Sequence, residues 1–468
     1  MSAQSLPKEV LERLRVAGIP ASAVAAVVRP VDSRAAPSLS VRADAVVNPA
    51  SLMKLVTTYS ALELLGPAYR WKTEAYFDGA LRGEVLEGNL VLRGSGDPKL
   101  TYEAFWLLLR ALRARGLREL RGDLVVDRSH FAQAPETPID DDSFRPYNVA
   151  PDALLVNFKS LRFTFLPDLE RNTVRLAIQP QLPGLELVNG LRVVERSCPE
   201  GRAFRELVGA AFRSQPPRAA FTGVYPASCG VSDMNVALHA PQDYVAGMVR
   251  HLWAELGGTW SGTVRDGRVP PTAQLVFTHE SEPLSAVVRD INKFSNNVMA
   301  RQLFLTLAAE RGGAPAEAAQ AGRAIREWLA QKGIAARELS LENGSGLSRT
   351  ERISAGTLAA ILQAAWRSPV MPELVASLPL VAADGTMRKR LHGSAAAGHA
   401  HIKTGLLHDV RAIAGFVLDR HGQRHVAVMI VNHARAHDAQ PALDALVEWA
   451  YENGSRGPAR PRSRRSAP

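Results

Sequence analysis

The sequence predicts a multi-domain α/β protein in which an antiparallel sheet flanked by helices is split by a large, mostly β insert of one or two nested domains. Three observations carry that expectation. The chain has 468 residues, enough for two to four domains, and its 46% hydrophobic, 6% aromatic and 22% charged composition excludes a disordered or fibrous chain. Its two ends share a style of short apolar strands and amphipathic helices. Between them, residues 69–278 break into short strand-like runs punctuated by Pro and Gly. No window approaches the ~18 uninterrupted apolar residues of a membrane span, and no repeat of fixed period points to a solenoid or propeller.

Taken in order, residues 7–16 read as a helix and 23–28 and 39–43 as strands. Asn48-Pro49-Ala50 interrupts the pattern. From Ser51 an apolar-periodic run (Leu52, Leu55, Val56, Tyr59, Leu62, Leu65) stops at Gly66-Pro67, which predicts a buried, well-delimited helix. Within the insert, 75–77 and 87–91 resemble a hairpin, 102–115 a helix, and 162–165 and 173–178 strands. A break near 148–157 suggests one inserted domain at 69–155 and 232–278, with a second, 156–231, nested inside it. Helices are then expected over 298–311, 315–332 with Pro315 at the tolerated first position, and 354–366. A strand at 402–404, alternating apolar residues over 410–418, a turn at 419–422 and a strand at 425–431 predict an antiparallel sheet, closed by a helix over 441–451. Residues 1–68 and 279–453 thus form the outer domain, and the Pro/Arg/Ser segment 454–468 is expected to be a disordered basic tail.

Net charge is +10, but Arg456, Arg460, Arg462, Arg464 and Arg465 contribute half of it from that acid-free tail. The body is too weakly basic for a nucleic-acid footprint. Cys198 and Cys229 have no His or Cys at zinc-ligand spacing, which leaves a single disulfide or two inert thiols. Both lie in the loop-rich insert with no third thiol to compete, so a bond is expected if the protein is exported. His399 and His401, and His433 and His437, lack a third ligand at a telling spacing. Gly94-Ser95-Gly96 lacks the Gly-Lys-Ser/Thr of a phosphate loop. Neither a metal nor a cofactor is indicated.

Three short motifs carry chemistry. In Ser51-Leu52-Met53-Lys54 a hydroxyl sits at a helix start with an amine on the same helical face, three residues on. Ser5-Leu6-Pro7-Lys8 has the same pattern but stands exposed at the chain start, whereas Lys54 is embedded in an apolar helix, where its pKa should fall. Ser295-Asn296-Asn297 precedes a helix, and Lys403-Thr404-Gly405 lies on a strand; each is the only one of its kind in the chain. Only nine of the 56 basic residues are Lys, so two lysines in such motifs are informative.

In this order the motifs resemble those of the active-site serine penicillin-recognising enzymes, the penicillin-binding proteins and β-lactamases. The 244-residue separation of Ser51 and Ser295 makes the chain most similar to the class C low-molecular-weight penicillin-binding proteins, the D-alanyl-D-alanine carboxypeptidase/endopeptidases. Gly94-Ser95-Gly96-Asp97-Pro98, Gly122-Asp123, Ser345-Gly346-Leu347-Ser348-Arg349 and Gly385-Thr386 before Arg388 extend the likeness to residues 48–432. One departure is Asn343, where the family pattern leads us to expect Asp before Gly344.

The resemblance implies a penicillin-binding/β-lactamase-like catalytic domain and a serine D,D-peptidase of peptidoglycan stem peptides. It implies Ser51 as nucleophile, Lys54 as base and Ser295 as proton donor to the leaving group. Lys403, Thr404, Gly405, Asn297 and Arg349 would hold the substrate, with the backbone N–H groups of Ser51 and Leu406 as oxyanion hole. β-Lactams would be covalent inhibitors, and no specific nucleic acid is implied. The setting would be periplasmic or otherwise extracytoplasmic, with peripheral envelope association. Residues 1–50 contain no basic-then-apolar leader, which is expected to have been removed. Two alternatives are a β-lactamase and a non-catalytic β-lactam-sensing or wall-binding protein. Between Ser295 and Lys403 no Glu precedes an Asn at the four-residue spacing of class A β-lactamases, which disfavours the first.

Overall fold

The computed structural model describes residues 5–32, 36–133, 144–199 and 202–454. The expected tail at 454–468 lies outside the described residues, apart from Gly454. Two compact units result, one from residues up to Arg70 together with those from Glu282, the other from Trp71–Ser281.

The first unit is built on a five-stranded antiparallel sheet in the order Ala400–Leu407, Val410–Leu418, Arg424–Asn432, Val24–Pro30, Leu39–Val41. Its central strands are buried at successive positions, for example Val426–Val431, so both faces of the sheet are covered. On one face Ala26, Val28, Ile413, Val417, Ala427 and Met429 join Val10 and Leu14 of helix Lys8–Val16 and Leu443, Leu446 and Val447 of helix Gln440–Asn453. Alternate residues point the other way, where Phe416 lies 5.4 Å from Trp366 at the end of helix Ala355–Trp366. The helix at Met53–Leu65 is buried all round from Met53 to Leu62, and each large apolar side chain so buried contributes roughly 1.5–3 kcal/mol.

Two local expectations need correction. The segment containing Ser51 is a 3₁₀ turn, Ala50–Leu52, and the α-helix begins only at Met53. Pro315 lies outside the helix that follows it, which spans Ala318–Gln331. There Glu317 and Gln320 form a reciprocal capping box that satisfies the first backbone donors and fixes the start.

The second unit has a larger sheet with the order Thr259–Trp260, Glu119–Leu120, Val85–Gly94, Lys72–Arg82, Gln274–Glu280. Leu124–Asp127 pairs with Val85–Gly94, and Val264–Asp266 pairs with Leu124–Asp127. Helices Tyr102–Ala114 and Pro241–Glu255 contribute Phe105, Leu108, Leu112, Met248 and Leu252 to its core. Two three-stranded sheets follow, one of Glu186–Val194, Pro217–Pro226 and Val208–Ser214, the other of Ser232–Val236, Leu161–Asp168 and Thr173–Gln179. Aromatic rings join them, with Phe221 centred 5.1 Å from Phe163 and 5.2 Å from Phe165. Because Ser232–Val236 pairs with Leu161–Asp168, this sheet crosses the boundary expected at residue 231.

Cys198 and Cys229 are joined by a disulfide that closes 31 residues of chain. In the chain-entropy description a loop of that size stabilises by ~3–4 kcal/mol. Thiol titration of the denatured, unreduced protein should therefore find no free thiol. Cys198→Ser with Cys229→Ser should lower the denaturation midpoint of the Trp71–Ser281 unit, and reduction should no longer affect it.

Candidate active site

The turn carrying Ser51 is held from both sides. Asn48 is buried; its N–H donates to Asn432 Oδ1 (2.8 Å) at the end of a central strand, and Asn432 Nδ2 returns a bond to Asn48 O (2.9 Å). Asn48 Oδ1 accepts from Ala50 N, and its Nδ2 donates to Ser348 O. Asn48 therefore organises the turn, and Ala50 sits in the left-handed region at φ 47°. Ser51 is the middle residue of that turn, directly ahead of the helix that carries Lys54.

Two glycines let other segments approach this turn. A Cβ on Gly346 would lie 1.9 Å from Ala50 O, and one on Gly405 would lie 2.8 Å from Pro49 O. Only a bare backbone fits at either point. Gly405 thus brings strand Ala400–Leu407 against Pro49 and Ala50, beside Ser51. Leu406 follows and is 59% exposed.

Lys54 has no exposed surface. Its Nζ lies 2.9 Å from Ser51 Oγ, 2.6 Å from Asn297 Oδ1 and 2.5 Å from Ser345 O. Burial holds its pKa well below that of an ordinary lysine, and repulsion from Lys403 lowers it further; Glu351 opposes this and Arg301 adds to it. Lys403 is equally buried. Its Nζ donates to Ser295 Oγ (2.8 Å) and Thr404 O (2.7 Å), and burial pushes its pKa down to about 7.

Ser295 and Asn297 reach these two amines through a tight helix junction. Helix Leu284–Phe294 ends with Ser295 in the left-handed conformation, φ 56°. Asn296 then caps helix Asn297–Gly312 by accepting from Met299 N. Capping falls to the middle residue of the motif, while Ser295 turns to Lys403 and Asn297 to Lys54.

The loop supplying Ser345 is organised by Glu351, which sequence reasoning missed. This buried carboxylate accepts from the backbone N–H groups of Glu342, Asn343, Gly344 and Gly346 at 2.8–3.0 Å. Burial raises its pKa and those four donors pull it back down. No periodicity marks such a residue; only its place just past Ser348-Arg349 could have drawn attention. Asn343, where Asp was expected, fits its site: Oδ1 accepts from Ser345 N and Oγ, while Nδ2 donates to Leu347 O, a bond that a carboxylate could not supply.

The structure thus brings together Ser51, Lys54, Ser295, Asn297 and Lys403, with Thr404 and Gly405 on the adjoining strand. Thr404 Oγ1 donates to Thr386 Oγ1 at 2.8 Å. Arg349 is exposed and joins none of the hydrogen bonds around Ser51; its carbonyl accepts from Arg352. The arrangement offers a hydroxyl beside an amine biased towards neutrality, and a second hydroxyl beside a second amine. That is the equipment of acyl transfer.

Residues 8–453 match the D-Ala-D-Ala carboxypeptidase 3 (S13) family. A D-alanyl-D-alanine carboxypeptidase of an Actinomadura species is 31% identical over 434 residues, which cover 88% of this chain and 78% of that protein. The carboxypeptidase DacB of Haemophilus influenzae is 26% identical over 390 residues, covering 82% and 80%. Penicillin binding protein 4 of H. influenzae shares the fold, with a TM-score of 0.78 at 22% identity over 96% of this chain and all of that one. With the family matched from the first described helix to the last, the chain belongs to the D-Ala-D-Ala carboxypeptidase 3 (S13) family, as a class C low-molecular-weight penicillin-binding protein and serine peptidase.

Proposed function

We propose that the chain cleaves D-Ala-D-Ala termini, and D,D-cross-links, of peptidoglycan stem peptides through an acyl-enzyme on Ser51. The observation that carries this reading is the set of partners around Lys54 Nζ. Asn297 Oδ1 and Ser345 O can only accept hydrogen bonds. A neutral amine has two N–H donors and one lone pair. Both donors are used by those two oxygens, so the lone pair is directed at Ser51 Oγ, 2.9 Å away.

The steps follow from that geometry. Ser51 gives its proton to Lys54 and its oxygen attacks the carbonyl carbon of the scissile bond. The oxyanion is received by the N–H groups of Ser51 and Leu406. As the C–N bond breaks, the Ser295 proton passes to the departing D-alanine nitrogen and Ser295 Oγ takes a proton from Lys403, which already donates to it. Lys403 and Thr404 hold the terminal carboxylate, and Asn297 Nδ2, unused by Lys54, faces the substrate amide. Water then hydrolyses the Ser51 ester. Disulfides persist in oxidising compartments, so the Cys198–Cys229 bond supports a periplasmic or other extracytoplasmic setting. Among the described residues no helix is long and apolar enough to cross a membrane.

A β-lactam offers the same attack, but its leaving nitrogen stays tethered, so the acyl form should persist. Mass spectrometry should find the whole antibiotic added at Ser51 and released over minutes or longer. Ser51→Ala should abolish the adduct, and Lys54→Ala should slow its formation by at least the ~10²–10⁴ typical of a lost general base. Ser5→Ala should leave labelling intact; an adduct on Ser5 or Ser295 would overturn the assignment.

The charge on Lys403 sets a second expectation. The ammonium is present below its pKa of about 7 and is lost as pH rises through it. For a peptide ending in a free carboxylate, kcat/KM should therefore fall as pH rises through about 7. The limb in kcat should lie higher, since bound carboxylate stabilises the charged form. Lys403→Arg keeps its charge throughout and should remove the limb; an unchanged limb would show that another group titrates.

A further inference from the structure

We propose that Thr386 is a further substrate-binding residue, the hydroxyl that donates to the substrate's terminal carboxylate, so that Thr404 takes part in holding that carboxylate through Thr386. This rests on the acyl-enzyme reading above and adds a contact to it.

Thr404 Oγ1 and Thr386 Oγ1 are 2.8 Å apart, and Thr404 donates. That bond consumes the Thr404 proton and leaves the Thr386 proton for an outside acceptor. Thr404 is half-buried on its strand, whereas Thr386 is exposed, so the free donor is also the accessible one. A hydroxyl that already accepts a hydrogen bond is polarised towards donating a stronger one. Lys403 precedes Thr404 on the same strand, so while its amine is protonated an anion at Thr386 also feels a positive charge nearby.

Thr386 is also held as a positioned group would be. Asp384 accepts from Lys293 Nζ (2.6 Å) and from Leu380 N (2.8 Å), and Lys293 Nζ donates in addition to Leu378 O (2.7 Å). Gly385 adopts φ +55°, and a Cβ there would lie 2.5 Å from the Lys293 carbonyl. The turn carrying Thr386 is thereby fastened to the last helical turn before Ser295. Through Lys293 and Thr404, the proton donor, the carboxylate-binding strand and Thr386 share one frame. An incidental surface threonine would need neither the ion pair nor the glycine.

The test compares a diacyl-L-Lys-D-Ala-D-Ala peptide with its C-terminal amide, using the full chain. Thr386→Val keeps the shape and removes the donor. A hydrogen bond to a charged group corresponds to about 10- to 100-fold, so the preference of kcat/KM for the free acid over the amide should narrow by about that factor. Thr386→Ser should restore it to within about threefold of the parent. Thr386→Ala, read in the same way, should agree with Thr386→Val and guards against a packing effect of either side chain. An unchanged acid-over-amide preference, equal losses on both peptides, or failure of Thr386→Ser to rescue would overturn the proposal. Labelling of the parent protein with a fluorescent penicillin separates the two levels. If Ser51 is not labelled, the acyl-enzyme reading falls and this contact with it; if Ser51 is labelled and Thr386→Val behaves like the parent, only Thr386 is refuted.

Discussion

The site depends on one constraint: a lysine amine with no access to water must find all its partners within the protein. Lys54 finds two carbonyl oxygens and one hydroxyl. Protonated, it would bear a charge in a dry setting with Lys403 nearby; neutral, it satisfies both carbonyls and still has a lone pair. Burial and repulsion from Lys403 favour the neutral state, and in that state the two carbonyls still take both donors. The cost appears as stability. Each buried lysine binds its proton more weakly folded than unfolded, so folding is opposed at pH values below the folded pKa. Stability gains as pH rises from there towards the ordinary lysine value. Such local instability is expected of a functional site.

Those partners come from segments far apart in sequence. Ser345 O is offered by a loop gathered by Glu351, whose carboxylate accepts from four backbone donors. Asn297 is delivered by a junction in which one residue ends a helix and the next caps another. Gly346 and Gly405 remove the side chains that would hold the loop and the strand away from the Ser51 turn. The polar frame is fixed by backbone hydrogen bonds and close approach, so its tolerance to substitution should be lowest at Glu351, Gly346 and Gly405, although none of these three reacts.

The Trp71–Ser281 unit is a different kind of construction. Its small sheets are joined by aromatic rings around Phe221, and a disulfide closes the connection between Cys198 and Cys229. Small sheets bury limited apolar area, and a covalent link then supplies stability that packing alone does not.

The sequence by itself determined whatever is local. The apolar-periodic run after Ser51, stopped at Gly66-Pro67, dictated a buried, well-delimited helix. Alternating apolar residues over 410–418 and the apolar run at 425–431 dictated two strands of the sheet. The three motifs, spaced as they are, singled out Ser51, Lys54, Ser295, Asn297 and Lys403, because i to i+3 spacing and family likeness are written in the chain. What only the tertiary structure decided is non-local or conformational. The capping role fell to Asn296 because Ser295 is left-handed at a two-helix junction. Helix Ala318–Gln331 began after Pro315 because Glu317 and Gln320 cap one another. Ser232–Val236 joined Leu161–Asp168 across about seventy residues, and Glu351 and Thr386 entered through contacts that no periodicity encodes. Hydrophobic pattern records which side of an element is buried, but a hydrogen bond between distant segments leaves no period in the sequence.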